Sequence, residues 1–175
     1  MRDTTLCYIR DGQGRTLLLH RIKKKNDLNH DKWIGVGGKF EEGESPTDCL
    51  LREVREDTGL TLTRYALRGI VTFVSSVWES EQMYLFTADG FTGEPIAGDA
   101  CAEGELCWVD DRTLDALPTW EGDRIFLRLL REDAPFFLLQ LVYGRAPGAP
   151  DGADEVLLSA VLDGRTLPPT DPLRR

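Results

Sequence analysis

Residues 35–60 read GVGGKFEEGESPTDCLLREVREDTGL, a glycine-rich segment followed by a strong helix pattern. Ser45 is a favourable N-cap, because its hydroxyl can accept a hydrogen bond from an unpaired N–H of the first turn. Pro46 follows at the first helical position, where its missing N–H has no cost. Gly59 stands where helices end in the left-handed conformation. The pattern predicts a helix over Pro46–Thr58.

The predicted helix carries an apolar face and an adjoining acidic stripe, since successive residues are rotated by about 100°. The apolar face, which is expected to pack on a sheet, consists of Leu50, Leu51 and Val54. The acidic stripe, at positions i, i+3 and i+4, consists of Glu53, Glu56 and Asp57. Neighbouring carboxylates repel one another, and a hard divalent cation such as Mg²⁺ or Mn²⁺ would offset that repulsion. Taken alone, the stripe is also typical of a solvated helix surface.

The spacing of these residues resembles the Nudix box. Gly38 is followed after five residues by Glu44, and after seven more by REVREDTGL at residues 52–60. Every defined position matches except one, where Asp57 replaces a glutamate. Over about Thr4–Tyr143 the chain is similar to the branch of the family that hydrolyses oxidised purine nucleoside triphosphates, a similarity carried by Lys32–Lys39, Cys107-Trp108 and Trp120–Asp123. The resemblance implies an α/β protein with the Nudix fold, an α/β/α sandwich around a mixed β-sheet.

The resemblance also implies a metal site. It assigns Mg²⁺, with Mn²⁺ as an alternative, to Glu53, Glu56 and Asp57, and adds the carbonyl oxygen of Gly37 as a further ligand. Glu53 and Glu56 are expected to act in catalysis, with Glu56 helping to activate the attacking water. Because Asp57 is one methylene shorter than glutamate, three possibilities stay open: binding through a water, a preference for Mn²⁺, or weakened activity.

Acidic residues outside the box add one more candidate. Glu103 is the best candidate for an additional metal ligand or base, because it lies in a loop where the resembling branch has an acidic residue. Its neighbour Glu105 is an alternative. A single glutamate in a loop is equally typical of a solvated side chain.

Other positions of the box are expected to be structural. By the resemblance, Glu44 and Arg52 form an ion pair that ties the loop to the helix. The helical count directs Arg52 away from the acidic stripe. Gly38 is expected to let the backbone come close to a ligand, and Gly59 is expected to end the helix in the left-handed conformation.

The resemblance places a base-binding site later in the chain. Trp120 offers a flat ring for stacking, and Asp123 can hydrogen-bond a purine edge. Trp120 as a core residue and Asp123 as a residue favouring the start of a helix are the alternatives. Ile34 stands where some members carry a base-reading Asn, and because Ile has no hydrogen-bonding side chain, the preference for 8-oxoguanine stays open. Lys23, in a run of three lysines, is a candidate for contacting phosphates or part of a solvated loop.

The rest of the chain predicts one domain over residues 1–162. Strands are predicted over Thr4–Ile9 and Thr16–Arg21, joined by the turn Asp11–Gly14, and over Arg68–Ser75, Gln82–Ala88, Glu105–Asp110, Phe136–Tyr143 and Glu155–Leu162. Apolar residues at helical spacing predict a second helix over Asp123–Arg131. Residues 163–175 contain three prolines and little apolar content, so a flexible tail is expected there.

Composition limits the classes of partner. The 175 residues include 21 Lys and Arg against 30 Asp and Glu, so the net charge is −9, which disfavours binding to duplex nucleic acid. No apolar run is long enough for a membrane span, and the N-terminus has no signal-type stretch. The cysteines, none in a Cys-x-x-Cys pair, are Cys7, Cys49, Cys101 and Cys107. This usage favours a reducing cytoplasm, and a monomer and a homodimer remain equally open.

The function expected from these features is that of a Mg²⁺-dependent Nudix pyrophosphohydrolase. Its substrate would be a purine nucleoside triphosphate such as 8-oxo-dGTP, cleaved to the monophosphate and pyrophosphate in sanitation of the nucleotide pool. One alternative is a Nudix hydrolase of ADP-ribose, a dinucleoside polyphosphate or another nucleoside diphosphate derivative. Another is a nucleotide-binding module with weakened catalysis, an interpretation that rests on Asp57 and Ile34.

Overall fold

The structure is a computed structural model that describes residues 1–23, 25–96 and 104–175. The strands are Arg2–Arg10 (β1), Arg15–His20 (β2), Trp33–Ile34 (β3), Thr61–Val74 (β4), Glu81–Thr92 (β5), Glu105–Asp110 (β6), Phe137–Gly144 (β7), Val156–Leu162 (β8) and Arg165–Thr166 (β9). The α-helices are Pro46–Thr58 (α1) and Asp123–Arg131 (α2), and short 3-10 helices span Asp111–Ala116 and Pro172–Arg174. Both α-helices have the bounds predicted from the sequence.

The strands form one mixed sheet. Its order is β3-β2-β1-β5-β4-β7-β8-β9, and β6 pairs with β2 off this path. The β1–β5 and β4–β7 pairs are parallel, whereas the other described pairs are antiparallel. The hairpin predicted between β1 and β2 is confirmed. Parallel neighbours need crossover connections, and α1 and α2 lie within those connections.

The two helices cover opposite faces of the sheet. Along β1, Cys7 packs into a core cluster that contains Leu50 and Val54 of α1. The adjacent Tyr8 packs into a second cluster that contains Ile125 and Phe126 of α2. Because successive side chains of a strand point to opposite faces, these clusters form two separate layers. The expected α/β/α sandwich around a mixed sheet is therefore confirmed.

Local interactions define both ends of α1. The Ser45 hydroxyl accepts a hydrogen bond from the backbone N–H of Asp48 at 3.2 Å, and the Asp48 carboxylate accepts from the N–H of Ser45 at 3.0 Å. This reciprocal pair is a capping box. At the other end, Gly59 has φ of 76°, and its N–H donates to the carbonyl of Arg55. The predicted start and end of the helix are confirmed.

Two predicted strand boundaries differ from the structure by about four residues or more, and the others by at most two. β4 begins at Thr61 rather than Arg68, and β5 extends to Thr92 rather than Ala88. The extra pairing contains register shifts between Leu62 and Tyr65. These bulges disrupt the alternation of apolar and polar residues that marks a strand in sequence.

The C-terminal tail is packed, which corrects the expectation of a flexible segment after residue 162. β9 pairs with β8, and Leu167 is 1% exposed in the core. Arg174 donates hydrogen bonds to the carbonyls of Leu167 and Leu157, each at 3.2 Å. Leu167 and Arg174 therefore hold the segment on the rest of the fold. The proline-rich composition of the segment gives no sign of either contact.

Two further expectations concern cysteines and membranes. Cys7 and Cys49 are buried, Cys107 is half-buried, and all three are free thiols; Cys101 lies outside the described residues. In the part of the chain that the structure describes, no helix combines the length and the apolar character needed to cross a membrane.

Candidate active site

The glycine-rich segment lies against β1 and beside α1. The N–H of Thr5 donates to the carbonyl of Gly38 at 2.8 Å, which holds the segment to the strand. A Cβ atom at Gly37 would overlap the carbonyl of Thr5, and one at Gly38 would overlap the carboxylate of Glu53. Glycine at these positions thus lets the Glu53 carboxylate lie directly on the backbone.

A cavity of about 400 Å³ opens beside this contact. It is lined by five residues predicted for the site, namely Gly37, Gly38, Glu53, Trp120 and Asp123. Ile34 also lines it, at the position discussed for base recognition. The structure therefore brings the glycine-rich segment and the box glutamate into one cavity with the predicted base-binding residues. Lys23, Glu56 and Asp57 are not among the lining residues.

Arg52 connects the loop to the acidic stripe. It donates to the two carboxylate oxygens of Glu44, from Nε at 2.5 Å and from Nη2 at 2.8 Å. The predicted ion pair between Glu44 and Arg52 is therefore present. Hydrogen bonds from Arg52 and from the Glu41 N–H lower the pKa of Glu44 to about 2, so Glu44 is ionised at neutral pH.

The expected direction of Arg52 is wrong. Its Nη1 donates to Oε1 of Glu53 at 2.6 Å and to Oε2 of Glu56 at 3.3 Å. Arg52 and Glu56 are at positions i and i+4, which lie on the same face of a helix and are separated by only about 40° around its axis, so the arginine lies beside the stripe. Arg52 consequently holds two of the predicted metal ligands as well as Glu44.

The acidic stripe supplies donors of the type that Mg²⁺ and Mn²⁺ take. The Glu53 side chain is 15% exposed and lies in the cavity, whereas that of Glu56 is 58% exposed. Within the described ranges 1–23, 25–96 and 104–175, no three His, Cys, Asp or Glu side chains are grouped closely enough to hold a metal ion as they stand. The donor chemistry of the carboxylates nevertheless fits a hard cation. Glu103 lies outside the described residues, and Glu105 is exposed on β6.

Asp123 is a buried carboxyl group in the wall of the cavity. It is the first residue of α2, but the N-cap is Gly122 and the helix start has no side-chain cap hydrogen bond. Burial raises the pKa of Asp123 to about 7, against the opposing effects of the Lys32 charge and a hydrogen bond from the Trp120 backbone. Asp123 therefore titrates near neutral pH and can present either a donor or an acceptor to a ligand.

Trp120 both packs on the core and lines the cavity. Its ring meets Phe73 and Tyr143 edge to face, with centroid distances of 5.7 and 4.9 Å. Lys32 Nζ lies 4.6 Å from the ring centroid, and the indole Nε1 donates to Oδ1 of Asn29 at 2.9 Å. The ring is thus held on several sides, so a ligand in the cavity meets a rigid aromatic surface.

Several cavity residues were not anticipated. Three are cations, namely Arg2, Arg21 and Lys39, and Asn29 adds a side-chain amide. Arg2 precedes the first predicted strand, Arg21 ends the second, and Asn29 lies in the following loop, which has no periodicity. Their positions depend on long-range contacts, for which the local sequence offers no pattern.

Comparison with known proteins adds independent findings. The NUDIX domain family model matches residues 1–130. Uncharacterized Nudix hydrolase YvcI of Bacillus subtilis is 36% identical over 95 residues, which are 52% of this chain; the chain spans 59% of that relative's length. The Oxidized purine nucleoside triphosphate hydrolase of Danio rerio is 31% identical over 125 residues, covering 70% of this chain and 76% of that protein.

A solved structure extends the likeness over nearly the whole fold. The crystal structure of the MutT protein from Bacillus halodurans matches with a TM-score of 0.75 and 27% sequence identity. The match covers 93% of this chain and 98% of that one. The similarity therefore includes the strands that follow residue 130, beyond the range of the family model.

Proposed function

This chain belongs to the Nudix family, whose members hydrolyse phosphoric anhydrides, and from that membership we propose that its substrate is a purine nucleoside triphosphate. The reaction would be Mg²⁺-dependent and would release the nucleoside monophosphate and pyrophosphate. An oxidised purine nucleotide such as 8-oxo-dGTP is the favoured substrate, and its removal from the nucleotide pool is the favoured role. The observation that carries this proposal is the single cavity that joins Glu53 to Trp120 and Asp123.

The size of the cavity suits a nucleotide. Its volume of about 400 Å³ lies in the range of small-molecule sites. The lining contains three cations, Arg2, Arg21 and Lys39, and four carboxylates, Asp27, Glu53, Glu81 and Asp123. Arg2 and Arg21 form ion pairs with Glu81 and Asp27. A bound divalent cation would therefore supply the positive charge that attracts a polyphosphate.

We assign the metal to Glu53, Glu56 and Asp57, with the carbonyl of Gly37 as a further ligand. When bound, the cation would neutralise charge on the phosphate oxygens. Glu103 stays a candidate for an additional ligand or base. The carboxylate of Asp57 is compatible with Mg²⁺ or Mn²⁺, both of which take oxygen donors.

Residues of the chain itself then position the carboxylates and accept the proton of the attacking water. Arg52 holds Glu53 and Glu56 by hydrogen bonds of 2.6 and 3.3 Å. Glu56 is the more exposed carboxylate and accepts the proton from the attacking water. The water oxygen bonds to one of the two phosphorus atoms joined by the α–β bridging oxygen, the bond from that phosphorus to the bridging oxygen breaks, and the monophosphate and pyrophosphate separate.

At the base end, Trp120 forms a wall for stacking and Asp123 meets the purine edge. The Trp120 ring is fixed by Phe73, Tyr143 and Asn29. Because the pKa of Asp123 is about 7, its protonated and ionised forms are both populated near neutral pH. The same carboxyl group can therefore donate to one purine edge and accept from another.

A substrate panel tests the proposal. Purified protein is assayed with 8-oxo-dGTP, dGTP, dATP, ADP-ribose and a dinucleoside polyphosphate, each with Mg²⁺ and with a chelator. Pyrophosphate release from a triphosphate, abolished by the chelator, is the expected result. A higher kcat/KM for ADP-ribose or the dinucleoside polyphosphate than for any triphosphate would mean that the proposed substrate is wrong. Binding of nucleotides without hydrolysis would favour a module with weakened catalysis.

A further inference from the structure

The loop between β2 and β3 forms one wall of the cavity and holds Asn29 in place. Arg21 Nε donates to Oδ2 of Asp27 at 2.7 Å, an ion pair whose side chains are 12% and 11% exposed. The other oxygen of Asp27 accepts from the N–H of Asn29 at 3.3 Å, and the N–H of Lys32 donates to the Asn29 carbonyl at 2.9 Å. The backbone of Asn29 is therefore held on both sides.

The side chain of Asn29 is also oriented. Its Oδ1 lies 2.9 Å from Nε1 of Trp120. An indole N–H only donates, so the amide atom that faces it must be the oxygen, and the amide nitrogen with its two N–H donors must face elsewhere. Among residues 1–23, 25–96 and 104–175, no acceptor is hydrogen-bonded to this nitrogen, and Asn29 lines the cavity.

We propose that Asn29 determines base specificity by donating a hydrogen bond to the 6-oxo group of a purine. The inference rests on the proposed function, and it names the class of base that the site selects. A 6-oxo purine presents an oxygen acceptor where a 6-amino purine presents a donor. Ile34, which also lines the cavity, has no side-chain group that can make this distinction.

Asp123 and Trp120 complete the recognition of the base. The carboxylate of Asp123 accepts from a ring N–H or amino group, so an amide donor and a carboxylate acceptor in one cavity match the alternating edge of a 6-oxo purine. The indole of Trp120 both stacks on the base and orients the Asn29 amide through Nε1. One aromatic residue thereby links stacking to the reading of the 6-position.

Asn29→Asp removes the NH₂ donor of Asn29 but keeps the hydrogen bond from Trp120 Nε1. The aspartate keeps an oxygen that accepts from Trp120 Nε1, but it replaces the NH₂ donors with an acceptor. Asn26→Asp is the matched control, because it makes the same change at an exposed position of the same loop outside the cavity. Binding of dGMP and dAMP to each variant is measured by titration calorimetry, which does not require turnover.

Wild type and Asn26→Asp are expected to bind dGMP more tightly than dAMP, by about tenfold. In Asn29→Asp this ratio is expected to fall by about tenfold or to reverse. Should that variant fail to fold by circular dichroism, Asn29→Ser is expected to bring the ratio close to one. A ratio in folded Asn29→Asp or Asn29→Ser equal to that of wild type overturns the inference, as does the absence of any preference in wild type.

The failure of the proposed function would look different. It would appear as no pyrophosphate release by wild type from any triphosphate. The binding ratio of the two monophosphates would still be measurable, and it alone decides the role of Asn29.

Discussion

Arg52 donates a hydrogen bond from Nη1 to Oε1 of Glu53, 2.6 Å away, although the two residues are consecutive in α1. The same guanidinium makes two hydrogen bonds to Glu44 in the loop that precedes the helix. The Glu53 carboxylate is in turn so close to Gly38 that any side chain there would overlap it. One arginine thus fixes a carboxylate of the cavity relative to both the loop and the glycine-rich backbone.

Arg52→Lys is expected to lower kcat/KM by about 10- to 100-fold, the range seen when a residue that orients a metal ligand is lost. A lysine ammonium is a point charge that cannot reproduce the planar fork between Glu44 and Glu53. Steady-state kinetics and the Mg²⁺ concentration for half-maximal rate are the measurements. Arg55→Lys, on the same helix, is the control, and equal losses in both variants would contradict the assignment.

Glu53→Gln tests the carboxylate itself. The substitution keeps the size and one accepting oxygen but removes the charge, so kcat is expected to fall by about a hundredfold or more. The free energy of unfolding should change by less than about 1 kcal/mol, because the side chain borders a cavity rather than the core. Glu42→Gln, an exposed acidic position of the preceding loop, controls for charge, and activity retained in Glu53→Gln would remove Glu53 from the catalytic residues.

The two α-helices were predicted with their bounds because the information is local. Ser45, Pro46 and Gly59 each act within one turn of α1. The resemblance to a family placed Trp120 and Asp123, and the structure finds both in the cavity with Glu53. These features depend either on neighbours in sequence or on a motif with many defined positions.

Other features could not be predicted, because they depend on contacts between distant residues. Asn29 is held at the cavity by a hydrogen bond from Trp120, which lies 91 residues further along the chain. The tail is held by Arg174, which reaches the carbonyl of Leu157 on β8. Composition and periodicity contain no information on such partners.

Asp57→Glu tests the one departure from the box. If Asp57 already serves as a ligand, the wild-type enzyme is active, and the variant should change kcat by less than about fivefold, equivalent to roughly 1 kcal/mol. The preference between Mg²⁺ and Mn²⁺ is measured in parallel, since the longer side chain reaches further towards the cation. An inactive wild type that gains turnover on this substitution would mean that the natural site has lost catalysis.

Asp123→Asn tests the buried carboxyl group through the pH dependence of stability. Burial raises the pKa of Asp123 to about 7 in the folded state, against about 3.9 in an unfolded chain. The folded state therefore binds this proton more tightly, and the resulting stability, complete below about pH 4, is lost as the pH rises to about 7. Above that range the wild type buries a charge that asparagine lacks.

Urea unfolding at pH 5 and pH 8 therefore has a definite expected outcome. The free energy of unfolding of Asp123→Asn, relative to that of wild type, should be higher at pH 8 than at pH 5 by about 1–4 kcal/mol. Each pKa unit corresponds to about 1.4 kcal/mol. Asp151→Asn is the control, because that side chain is fully exposed, and its stability difference should stay nearly constant. A constant difference for Asp123→Asn as well would mean that the carboxyl group is already ionised in the folded protein at pH 5, and the two-way hydrogen bonding assigned to it would have to be withdrawn.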